Sequence, residues 1–214
     1  MKPIAVQQRP IELLRYAGLF TWTCALLALL ILDVLREVPL PWPSYVGCWV
    51  AQVLFGVVYW HYLKYLPGKT SLGHRLAYLS VLTLFALVIS LASNSSIGGI
   101  LLLPVAGLLP WMLPLGGAVI WLLGQTVLLG LVVWLIPGIG ALDALINAGL
   151  LLGISLFVFI GSLALVREKQ SRDELRMVNH ELQATQALLA QNTRIAERVR
   201  IARELHDLVG QHLT

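Results

Sequence analysis

The chain has 214 residues, of which 58% are hydrophobic and 12% charged, whereas an average soluble domain is roughly a quarter charged. That balance excludes an ordinary soluble enzyme and describes a membrane protein. The formal charge is +4 and the pI is near 9.3, but the basic residues sit beside apolar stretches and read as topological anchors, so no nucleic-acid partner is expected.

Residues 1–16 form a short basic leader with Lys2, Arg9 and Arg15. The apolar run that follows is too long for a signal-peptide core and has no small-residue cleavage site. A span needs about 20 mostly apolar residues to cross about 30 Å of hydrocarbon. Residues 17–35, 45–63, 76–92, 117–136 and 142–166 meet that length. Residues 97–113 are shorter and hold Pro104 and Pro110, so by hydropathy this stretch either crosses as a broken helix or dips in.

Charge asymmetry decides the count. The side richer in Lys and Arg stays cytoplasmic. Lys2, Arg9 and Arg15 precede the first span, Lys64, Lys69 and Arg75 join the second to the third, and Arg167, Lys169 and Arg172 follow the last. The opposite loops carry only Arg36, with "SNSS" and "PGIGA" free of Lys and Arg. All three clusters share a side only if the number of spans is even, so six spans with both termini inside are expected over 17–166. Trp42, Tyr45 and Trp49, and Tyr59, Trp60 and Tyr62, fit two interfacial aromatic belts.

The outer loops are too short to fold into a ligand-binding domain, so any stimulus arrives through the bilayer, the spans or a membrane accessory protein. Polar residues at membrane depth are expensive. Asp33, Gln52, Gln125, Asp143 and Asn147 are therefore candidate sensing groups, and Asp33 and Asp143 are read as interfacial. Gly149 and Gly153 make a GxxxG face that allows close helix approach. Cys24 and Cys48 lack metal or disulfide spacing and read as packing residues.

After Val166 the composition flips to charged and polar, with no Pro and no Gly before Gly210. This reads as one long helix growing out of the last span. Leu175, Val178, Leu182, Thr185, Leu189, Asn192, Ala196 and Val199 follow a 3.5-residue repeat, a coiled-coil seam with weak positions at Thr185, Asn192 and Ala196. Residues 167–194 are thus expected to be a dimeric connector poised between two packings.

From 195 to 214 the apolar arc widens. Ile195, Val199, Ile201, Ala202, Leu205, Leu208, Val209 and Leu213 cover about half the circumference, which suits a four-helix bundle. His206 falls at the edge of that arc and Asp207 further round. A neutral, reachable imidazole beside a carboxylate is what phosphoryl transfer to nitrogen requires, the carboxylate orienting the ring and accepting its proton. His61, His74, His180 and His212 read as structural or surface residues.

The stretch "ERVRIARELHDLVGQHL" from Glu197 to Leu213 resembles the phosphoacceptor box of bacterial sensor histidine kinases of the NarX/DesK/LiaS type. The resemblance implies an all-α membrane protein whose connector enters a dimerisation bundle at 195–214. It implies His206 as the residue phosphorylated from ATP, Asp207 as general base, and Gln211 as the group that aligns a water for dephosphorylating a response regulator. Arg203 and Glu204 flank the box. A homodimer, a cognate response regulator, membrane lipids, ATP with Mg2+ and a bacterial plasma-membrane location with cytoplasmic termini are implied in the same way. In the family a second bundle helix and an ATP-binding domain follow the box, so the chain is expected to be a truncated kinase, inactive alone. "PGKT" at 67–70 is no phosphate loop, because Leu63 stands where the first Gly belongs. Two other readings stay open: a transporter or channel subunit with an oligomerising tail, and a non-catalytic stub that forms mixed dimers with a kinase.

Overall fold

The computed structural model describes the backbone of residues 9–36, 40–65 and 71–212, and the side chains of these residues apart from 9–12, 62–65, 202 and 204–212. In chain order they form α1 (Arg9–Leu35), α2 (Trp42–Tyr65), α3 (Leu72–Ala92), a 3-10 turn (Ile97–Leu101) that runs into α4 (Leu102–Met112), α5 (Leu115–Trp134) and α6 (Ala141–His212). Among the described residues there is no strand, and the all-helical architecture expected from the sequence is the one observed. The chain divides into two compact units, Met1–Val166 and Arg167–Thr214.

Local chemistry explains where the helices start and stop. Ser71 caps α3, its hydroxyl accepting from the His74 backbone N–H, which satisfies one of the orphan donors of a first turn. At the other end of α3 the backbone turns through Asn94, whose φ of 48° is a left-handed value that Asn tolerates better than most residues. Between α5 and α6 the turn needs Gly138, at φ 89°, next to Pro137, which has no N–H with which to continue a helix. Pro114, in extended conformation, is the N-cap of α5.

α4 is the centre of the first unit. Leu101 at the end of the 3-10 turn and Val105, Ala106, Leu108 and Leu109 of α4 are fully buried, and α4 packs against α1, α3 and α5. Hydrogen bonds fix its direction. Arg75, at the start of α3, donates from Nη1 to the Met112 carbonyl at the end of α4, 3.1 Å away. At the other extreme, a Cβ on Gly98 would sit 2.0 Å from the Ala86 carbonyl oxygen, near the end of α3. The segment 97–112 therefore runs the length of α3, antiparallel to it. With a rise of 2.0 Å per residue in the 3-10 turn and 1.5 Å in α4, it spans about 26 Å. The stretch that the sequence left between a broken span and a dip is a buried rod, and the backbone groups freed by Pro104 and Pro110 lie in protein instead of lipid, where such breaks are tolerated.

The same contacts sort the ends of the other helices. Tyr59 on α2 donates to the Leu14 carbonyl on α1 (3.1 Å), and Gly107 on α4 is flanked by Leu14 and by Val158 on α6. The start of α1, the ends of α2 and α4, the start of α3 and the 158–162 stretch of α6 thus share one end. Arg36, Ser93, Gly99, Leu129 and Leu151 gather toward the other, where Arg36 donates to the Ser93 carbonyl. Among the described residues four helices are long and apolar enough to cross a membrane: α1 over Leu13–Leu35, α3, α5 and α6. The apolar helix over 97–112 is shorter.

In the second unit every described side chain from Gln170 to Ile201 is exposed. Ion pairs one turn apart, Arg172 with Glu168 (2.5 Å), Arg176 with Asp173 (3.6 Å) and Arg200 with Glu197 (2.7 Å), dress the helix. Such exposed pairs contribute only a few tenths of a kcal/mol each, about 0.3–0.5. Leu175, Val178, Leu182 and Leu189 stand more than half exposed.

Candidate functional site

Two groups of residues carry candidate chemistry. The first is the C-terminal part of α6. The backbone is helical through His212, so Asp207 and Gln211 stand one turn apart on one face, while His206 shares its row with Gly210 and with Arg203. Of this set the side chain of Arg203 is described and exposed. The side chains of Glu204, His206, Asp207 and Gln211 lie outside the described residues. The turn before them is held by the Glu197–Arg200 pair, and Ile195, Val199 and Ile201 present half-exposed apolar surface on the same helix. The helix that carries these positions is the one that begins among the membrane helices at Ala141.

The second group is the polar residues of the first unit, and the structure separates them. Gln52 is buried between α1 and α2 in a reciprocal bracket: Trp22 Nε1 donates to the Gln52 carbonyl (2.9 Å) and Gln52 Nε2 donates to the Trp22 carbonyl (3.4 Å). Its Oε1 finds no protein donor. Gln125, on the inner face of α5, is 2% exposed, and neither atom of its amide has a protein partner. An amide desolvated in this way costs about 1–3 kcal/mol. Asp33 is half-buried near Arg36, Asp143 is exposed, and Asn147 is half-buried with its Oδ1 enclosed. Cys24 is exposed and Cys48 buried, both as free thiols. Among the described residues no cluster of His, Cys, Asp or Glu could hold a metal ion.

Two further contacts were not singled out from the sequence. Ser162 on α6 donates to the Gly107 carbonyl (2.6 Å) and receives a hydrogen bond from Trp111 Nε1 (2.9 Å), so a hydroxyl four residues before Val166 ties α6 to the central helix. A small hydroxyl residue inside an apolar span is the only sequence signal of such a tie, and it does not name the partner. Arg15 lies between the rings of Tyr16 and Trp60.

Comparison with known proteins bears on the first group. A family model described as "Histidine kinase" matches residues 197–214, less than a tenth of the chain. No curated protein and no solved structure matches. The match supports a histidine kinase dimerisation and phosphoacceptor region at the end of α6, and dimerisation through that region is consistent with a homodimer.

Proposed function

We propose that this chain is the membrane sensor and phosphoacceptor portion of a two-component histidine kinase of the NarX/DesK/LiaS type, with His206 as the acceptor. The observation that carries the reading is the family-model match over 197–214, on a helix that also forms part of the membrane unit. In this reading a ring nitrogen of His206 attacks the γ-phosphorus of ATP, the bond to the ADP oxygen breaks, and the proton of the imidazole passes to Asp207. The phosphoryl group then moves to an aspartate of a response regulator. Gln211, one turn beyond Asp207, positions a water for the reverse, hydrolytic step. Arg203 and Glu204 supply local charge and packing.

By its resemblance to the family, the reading assigns ATP and its Mg2+ to a separate catalytic domain. Six spans with both termini on the cytoplasmic side of a bacterial plasma membrane fit the basic clusters. The shared end of the start of α1 and the 158–162 stretch of α6 supports that arrangement. Residues 167–194 act as a parallel coiled-coil connector between the two.

The test is direct. The full chain in lipid nanodiscs, given a purified sensor-kinase ATP-binding domain and labelled ATP, is expected to acquire an acid-labile, base-stable phosphate. His206→Gln should abolish the label, and Asp207→Asn should lower its rate by about 100-fold or more, the usual worth of a positioned general base. Label that persists in His206→Gln refutes the acceptor assignment.

A further inference from the structure

At the end of the membrane unit that holds the start of α1 and the end of α2, one cation is stacked against two aromatic rings. The guanidinium carbon of Arg15 stands 5.0 Å from the centroid of the Tyr16 ring and 4.6 Å from that of Trp60 on α2. Its Nη2 donates to the Tyr16 hydroxyl (3.2 Å), while Nε is enclosed and meets no protein acceptor. Among the described residues no carboxylate pairs with it. The sequence offers few. Glu12 is the only acid in the first 32 residues, and residues 38–142 contain no Asp or Glu at all.

A cation at the margin of hydrocarbon is costly until an anion meets it. Stacking on Trp60 supplies part of the compensation and holds the guanidinium flat, so that its N–H edge is preset for a bidentate oxyanion. Tyr16 and Trp60 are themselves roughly half exposed, and are the residue types that settle at headgroup level. Lys2, Arg9, Lys64 and Lys69, close by in sequence, raise the local positive charge further. A free phosphate needs no apolar wall, whereas a lipid phosphate comes with acyl chains that the exposed rings of Tyr16 and Trp60 suit.

We propose that Arg15, Tyr16 and Trp60 form a binding site for the phosphodiester of an anionic phospholipid headgroup in the leaflet at this end of the bundle. The site is independent of the kinase reading.

The experiment uses the full chain in mild detergent, doped with phosphatidylglycerol or phosphatidylcholine and examined by native mass spectrometry. The wild type should retain phosphatidylglycerol about fivefold over phosphatidylcholine, the scale of one basic residue acting on an anionic lipid. Arg15→Gln should bring the two lipids level. Arg15→Lys should keep only part of the preference, because an ammonium has the charge without the fork. Trp60→Leu should weaken it with the charge intact, and Arg172→Gln, whose partner is Glu168, should change nothing. Far-UV circular dichroism identifies any variant that fails to fold, in which case Arg15→Lys and Trp60→Leu decide the matter. Undiminished preference in Arg15→Gln, or in both Arg15→Lys and Trp60→Leu, overturns the site. Displacement of phosphatidylglycerol by millimolar inorganic phosphate overturns the assignment to lipid in favour of a free anion.

Discussion

The 3-10 turn meets α3 backbone to backbone, and replacing Gly98 tests that contact. A Cβ at Gly98 would lie 2.0 Å from the Ala86 carbonyl oxygen, 2.5 Å from Ser90 Oγ and 2.8 Å from the Ser90 backbone nitrogen. A carbon normally approaches a carbonyl oxygen no closer than about 3.3 Å, so the turn would have to withdraw by more than 1 Å, about 1.3 Å. Two of the three obstacles are backbone atoms of a packed helix, and neither can rotate away. Overpacking a rigid site costs about 1–3 kcal/mol, occasionally more, and Gly98→Ala should reach at least about 3 kcal/mol, a shift of roughly 150-fold in the folding equilibrium. Gly99→Ala is the internal comparison. Its obstacles are the ends of the Leu151 and Leu129 side chains, at 2.5 and 2.8 Å, which can change rotamer, so about 1 kcal/mol is expected. Gly124→Ala meets nothing within 4 Å and should be neutral or stabilising by up to about 1 kcal/mol through helix propensity. Unfolding in mixed micelles with rising dodecyl sulfate, followed by circular dichroism, gives the three values. A Gly98→Ala protein within about 0.5 kcal/mol of wild type, or one less affected than Gly99→Ala, would show that the 3-10 turn does not seat on α3 as described.

Two further outcomes follow from polar groups. Gln125→Leu removes an amide with no protein partner and keeps a similar volume, so it should raise the unfolding midpoint by about 1–3 kcal/mol equivalent; the same assay checks it, and a loss of stability would mean that the amide is satisfied in the folded protein. Thr185→Leu combined with Asn192→Ile should tighten self-association of the Arg167–Thr214 segment by about 1–3 kcal/mol, since polar seam positions lower coiled-coil stability. Sedimentation equilibrium of that segment measures it, and an unchanged dimer constant would remove these two positions from the interface. The Thr185 hydroxyl already donates to the Glu181 carbonyl of its own helix (2.9 Å), so most of the gain should come from Asn192.

What could be read in advance divides along a physical line. Apolar runs and charge asymmetry are local quantities, and they located the long helices as well as the flip at Val166. The burial of 97–112 is a tertiary quantity. Its length and prolines look like a failed span until Leu101, Val105 and Leu109 are seen to be wrapped by α1, α3 and α5. Gln52 and Gln125 read alike in sequence, since each is one amide in an apolar helix. Only the pairing of Gln52 with Trp22, thirty residues away, distinguishes a structural bracket from an amide without a partner. The same holds for Arg15, which hydropathy registers as an anchor and whose stacking on Trp60 depends on how α1 meets α2.

The phosphoacceptor motif was legible because it is local: within one helix, spacing alone sets which positions share a face. The contacts by which α6 meets the other helices of the first unit are not local, and under the proposed sensor reading they bear on how a membrane event reaches His206. α6 touches the central segment through Leu151 at Gly99, Val158 at Gly107, and Ser162 bridging Gly107 and Trp111. All three contacts involve Gly99 or Gly107 of that central segment, where a small shift changes which atoms meet. An interhelical hydrogen bond at membrane depth is worth only about 0.6 kcal/mol on average. A two-state equilibrium moves from 1:99 to 99:1 with about 5.5 kcal/mol, so under the proposed sensor reading breaking the Ser162 bonds alone would not switch α6. Any signal carried along α6 has to act on several of these contacts together, which points to motion of the central 97–112 segment as a body.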